Sequence, residues 1–63
     1  MNPVYRRMPL VVNAHRNETG HDIILDTEHG LVKARPGDWV ITGVLGERYP
    51  CSNKVFEIIY ERV

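Results

Sequence analysis

The sequence has a single cysteine, no long apolar run and no excess of charge of either sign. One Cys among 63 residues excludes an intramolecular disulfide and any zinc site built from several cysteines. No apolar run approaches the roughly 18 residues that a membrane span needs, so we expect no contact with a membrane. The basic residues near the N-terminus are not followed by an apolar segment of signal-peptide type, so we expect a cytoplasmic protein.

Positive and negative side chains are equal in number, and this balance limits the kinds of ligand that we expect. Eight Lys and Arg residues offset eight Asp and Glu residues, whereas domains that bind DNA or RNA are usually basic. Binding to long nucleic acids is therefore disfavoured. Six of the eight basic residues are arginine, which forms bidentate contacts with phosphate, so a small anionic ligand fits the composition better.

The short chain predicts one domain over residues 1–63 that needs additional stabilisation. A domain of this size buries only about 60% of the surface of its unfolded chain. Without disulfides or an evident metal site, close packing or self-association must supply the rest. We expect a homo-oligomer, with a ligand pocket between subunits.

Turn signals at short intervals predict several short strands. We expect strands at 8–12, 21–27, 31–35, 39–44 and 47–49, the last ended by Pro50. Gly30 suits a tight hairpin, and the Pro36-Gly37 pair is typical of a type II turn, in which the glycine takes a positive φ. These elements predict a mainly β (α+β) fold, either a small antiparallel meander or a partly closed SH3-like barrel.

The C-terminal segment has two possible structures. Apolar residues recur at helical spacing after residue 53, and Ser52 or Asn53 is a suitable N-cap, which predicts a short helix. The same segment contains β-branched and aromatic residues, so a final strand over residues 55–60 is the alternative.

Catalytic and metal-binding patterns are missing. The three histidines and Cys51 show no zinc-like spacing, and the histidines lie in or beside predicted turns. No glycine-rich phosphate-binding loop is present. The sequence therefore predicts a protein that is not an enzyme, without a cofactor or a metal, and Cys51 is interpreted as a small packed hydrophobe.

A nucleotide-like ligand would need one or two arginines for its phosphates and an aromatic plane for its base. The residues that meet this need are Arg16, Arg35, Trp39, Arg48 and Tyr49. For Trp39 the alternative, a packing anchor of the sheet, is the more usual role of a single Trp in so small a chain. Because Arg48 and Tyr49 are adjacent on a strand, they point to opposite faces, and one of them at most shares a face with Trp39.

The order of motifs resembles a small family of proteins encoded by tailed phages and prophages. The motifs are Pro36-Gly37-Asp38-Trp39, Gly43-Val44-Leu45-Gly46-Glu47, Tyr49-Pro50-Cys51, Phe56-Glu57 and Tyr60-Glu61. Where the family often carries a longer insertion with a Gln-Trp pair, this chain has His15-Arg16-Asn17. The resemblance implies a phage source and expression inside a bacterial cell, without an assigned activity.

Two functions are consistent with these features. The first is anti-defence by sequestration, in which an oligomer binds a nucleotide-derived immune signal of the host. The alternative is inhibition of, or an accessory role for, a host or phage protein through direct contact with an exposed sheet edge or with the helix face that carries Tyr60.

Overall fold

The computed structural model describes residues 2–6 and 9–63, and these form five antiparallel strands followed by one short helix. The elements are β1 (Asn13–Arg16), β2 (Ile23–Thr27), β3 (Gly30–Ala34), β4 (Trp39–Thr42), β5 (Arg48–Cys51) and α1 (Asn53–Ile59). The mainly β fold class with a C-terminal helix is thus confirmed. Of the two structures considered for the C-terminal segment, the helix is the one formed.

The strands of the described residues divide into two sheets. In the larger sheet the order is β1-β4-β5, so β4 is central, and β2 pairs with β3 as a separate hairpin. Strands in residues 2–6 and 9–63 do not close into a barrel. The arrangement is consistent with a small β meander.

Two glycines with positive φ set the course of the chain between strands. Gly30 has a φ of 100° and lets the β2–β3 hairpin turn tightly. Gly37 has a φ of 88°, and the amide of Asp38 donates to the carbonyl of Arg35 at 2.9 Å, which closes the predicted turn. A side chain at either position would force a backbone conformation that L-residues rarely adopt.

The first and the last of the predicted strands differ most from the structure. Residues 9–12 form no regular structure, and β1 begins at Asn13 (Met8 lies outside the described residues). Pro50 does not end β5, because it pairs with Val40 inside the strand. An edge strand tolerates proline where its missing N–H would face away from the neighbouring strand, and β5 is an edge of the larger sheet.

The buried core is small and lies between the hairpin and the larger sheet. Leu25, Ala34 and Val40 are fully buried together, and the half-buried side chains of Ile23 and Val32 pack against them. No helix within residues 2–6 and 9–63 has the length and apolar character that a bilayer span requires.

Candidate functional site

The face of the larger sheet turned away from the hairpin carries the candidate aromatic residues. Trp39 lies opposite Arg16 and Cys51 in the strand register, and Ile41 lies opposite Ala14 and Tyr49. Residues directly opposite each other in adjacent strands project to the same side. We call this side, with the residues Ala14, Arg16, Trp39, Ile41, Tyr49 and Cys51, the helix face.

Trp39 attaches α1 to the helix face. Its ring stacks on Phe56 with centroids 3.9 Å apart and planes 6° from parallel, and Phe56 in turn stacks on Tyr60 at 5.0 Å. The indole Nε1 donates to Oδ1 of Asn53 at 2.9 Å, which satisfies the one polar atom of the indole ring. Trp39 is therefore a packing anchor, and one face of its ring is covered by Phe56.

The helix α1 is short and owes its formation to its ends and to these aromatic contacts. The side chain of Ser52 accepts from the amide of Val55 at 3.3 Å and caps the helix, as predicted. No residue of α1 is buried, and the side chains of Ile58 and Ile59 are 77% and 55% exposed. Seven residues do not hold a helix by propensity alone, so its contacts with the sheet decide its stability.

An open groove of about 1210 Å³ runs across the helix face beside α1. Trp39 and Tyr49 line its floor, residues 9–14 form one wall, and Phe56 with residues 59–63 forms the other. We call it the apolar groove. The hydroxyls of Tyr49 and Tyr60 lie 3.3 Å apart and join the floor to the second wall.

The five predicted site residues do not converge on one point. Arg16, Trp39 and Tyr49 share the helix face, which makes Tyr49, and not Arg48, the strand residue beside Trp39. Arg48 lies opposite Thr42 on the other face of the sheet. Arg35 lies in the turn before β4, where its backbone amide donates to Oδ2 of Asp38 at 2.9 Å.

The surroundings of the two strand arginines differ from those of a phosphate site. The Nε of Arg16 donates to the carbonyl of Gly37 at 3.1 Å, so part of its guanidinium is engaged by backbone. Arg48 lines a smaller depression of about 690 Å³ whose other charged residues include Asp26, Glu28 and Glu47. Carboxylates beside an arginine reduce its attraction for an anion.

Cys51 has the properties of a packed thiol. Burial, and secondarily the negative charge of Asp38, raise the pKa of its thiol above the ordinary value. A raised pKa lowers the fraction of thiolate at neutral pH, and thiolate is the reactive form. The described residues contain no cluster of His, Cys, Asp and Glu that would hold a metal ion.

Asn17 is the organising residue that sequence reasoning missed. Its side chain is buried, and its Nδ2 donates to the carbonyls of His21 and Ala34 at 2.8 and 2.9 Å. Its Oδ1 accepts from the amide and the hydroxyl of Thr19. Its backbone bonds to Asp38 and Gly37, so one residue joins β1, the hairpin and the turn before β4.

Comparisons with family models, with curated proteins and with solved structures found no match to this chain. The resemblance to the phage family therefore rests on the sequence motifs, and it stays a prediction.

Proposed function

We propose that this protein acts by binding, without chemistry of its own, and that its partner is a polypeptide whose uncharged apolar segment enters the apolar groove. The exposure of the groove walls carries the proposal. Leu10 and Val11 on one wall are 60% and 75% exposed, and Ile59 on the other is 55% exposed. Exposed apolar side chains that are contiguous, and not scattered singly, mark sites of protein association.

The charge of the groove favours a polypeptide over a nucleotide. Among the described lining residues, Arg62 is the one cation, and the carboxylate of Glu61 is its neighbour in the chain. A nucleotide needs several convergent donors for its phosphates.

Sequestration of a nucleotide-derived signal is the second candidate function. It is favoured by the pairing of Arg16 with Trp39 on adjacent strands, which puts a cation and an aromatic ring on one face. The resemblance to phage proteins would make either activity an anti-defence or accessory function inside a bacterial host. If the protein binds a polypeptide, as in the first candidate function, the partner would be a host or phage protein.

A panel of random peptides displayed on phage tests the first candidate. We expect selected peptides to be rich in apolar residues, and Ile59→Glu to weaken their binding by about tenfold or more, since a charge then lies in the contact. Ile24→Glu is the matched control, because Ile24 is also about as exposed (61%) but lies on the hairpin. Binding is measured by isothermal titration calorimetry with one selected peptide.

Two results would contradict the proposal, and the second of them would favour sequestration. One is equal peptide affinity for Ile59→Glu and Ile24→Glu. The other is a rise in melting temperature with a cyclic dinucleotide or an ADP-ribose derivative that Arg16→Ala abolishes, because a ligand that binds only the folded state stabilises it.

A further inference from the structure

The solvent-exposed surface of the isolated chain is larger than that of a compact monomer of the same mass. It exposes 5794 Å², whereas a compact monomer of 7.3 kDa exposes about 4200 Å² by surface scaling. Its radius of gyration is 13.4 Å, against about 11 Å for a compact chain of this length. The excess area of about 1600 Å² is more than the roughly 800 Å² that each partner contributes to a standard interface.

The segment before β1 is a source of this excess. Residues 9–12 (Pro-Leu-Val-Val) contain two consecutive β-branched residues, and this composition predicted a strand. In the structure they form no strand, and among the described residues they make no backbone hydrogen bond in a turn or loop. Within the part of the chain that the structure describes, a segment with strand propensity thus lies next to β1 without being paired.

The two edges of the larger sheet are not equivalent. β5 contains Pro50, which lacks a backbone N–H, and proline is a device that prevents edge pairing. β1 (Asn13–Arg16) contains no proline, and in the described residues its one strand neighbour is β4. The outer side of β1 therefore offers a backbone edge that residues 10–12 would lengthen.

We propose that the partner of this edge is a second copy of the chain, so that β1 and residues 10–12 pair antiparallel with the same segment of that copy. A twofold axis normal to the sheet joins the two larger sheets and leaves both helix faces on the same side. Strand alternation puts Leu10 and Val12 on the side of Ala14, so both add to that common face. The pairing uses backbone at the edge, and it stands independently of the peptide partner proposed above.

A substitution at Val12 separates edge pairing from folding. The N–H of Asn17 donates to Asp38 on the β4 side, so strand alternation puts the N–H of Val12 on the free edge. Val12→Pro removes that N–H, which makes no loop hydrogen bond among the described residues that the monomer would lose. Val12→Thr is the matched control, because it keeps the N–H and a β-branched side chain. Circular dichroism and the melting temperature at low concentration show whether each variant keeps the fold.

Sedimentation velocity over a dilution series measures the mass and the dimer dissociation constant of each variant. We expect twice the chain mass for the wild type and for Val12→Thr, and a dimer dissociation constant about tenfold or more higher for Val12→Pro. A wild type that is monomeric throughout the series would overturn the proposal. So would a dimer that Val12→Pro leaves as tight as the wild type, since its interface would then lie elsewhere. Peptide binding is measured separately, so either proposal can fail alone.

Discussion

Replacing Asn17 with Asp is expected to leave the chain largely unfolded at room temperature. The carboxylate cannot donate, so the carbonyls of His21 and Ala34 lose the amide that now satisfies them. Each buried polar group left without a partner costs about 1 to 3 kcal/mol, and the new charge is buried as well. A core of this size supplies about 3 to 5 kcal/mol, so the free energy of unfolding would fall close to zero.

Urea titration followed by circular dichroism measures this change. Asn13→Asp is the control, because Asn13 is exposed on β1 and the same chemical change there should alter stability by no more than about 0.5 kcal/mol. An Asn17→Asp variant as stable as Asn13→Asp would show that Asn17 does not hold the three segments together.

Replacing Trp39 with Ala is expected to release α1 from the sheet and to destabilise the fold by about 2 to 3 kcal/mol. Full truncation of a buried Trp costs about 3 to 5 kcal/mol, and Trp39 is half-buried. The loss has two sources, the ring stack on Phe56 and the hydrogen bond to Asn53. The apolar groove then loses part of its floor and one wall, so selected peptides should no longer bind.

Amide hydrogen exchange resolves this effect by element. Relative to the wild type, Trp39→Ala should accelerate the exchange of the amides of Asn53–Ile59. The acceleration should be larger there than at the amides of β2 and β3. Trp39→Phe keeps an aromatic ring and loses the Nε1 donor, so it should cost about 1 kcal/mol and retain the helix. Equal protection of α1 in Trp39→Ala and the wild type would show that the aromatic stack does not hold the helix.

The parts of the fold that the sequence predicted correctly depend on local chemistry. The Pro36-Gly37 turn and the Gly30 hairpin follow from backbone preferences of the residues themselves. The helix follows from the Ser52 cap and from apolar spacing that brings Phe56 onto Trp39. In these segments local preference and tertiary structure agree.

The predictions that failed concern features that depend on residues distant in the chain. Residues 9–12 have strand composition, but a strand also needs a neighbour, and β4 pairs with Asn13–Arg16 instead. Pro50 was expected to end a strand, yet an edge position accommodates it. Asn17 lies in a segment whose composition is typical of a loop. Its structural role depends on two carbonyl groups that only folding brings next to its side chain.

The site was predictable only in part. Strand alternation correctly separated Arg48 from Tyr49, and the register then puts Tyr49 and Arg16 on the face of Trp39. The register itself was not available from the sequence, because pairing β1 with β4 requires the hairpin to fold between them. The apolar groove was missed for the same reason, since its two walls come from opposite ends of the chain.

Hydrogen exchange with and without a selected apolar peptide tests the proposed function most directly. If the groove is the binding site, the peptide should slow exchange at residues 10–14 and 56–62 and leave the hairpin amides of β2 and β3 unchanged. Slowed exchange confined to the hairpin, or to the turn at residues 35–38, would contradict binding in the apolar groove.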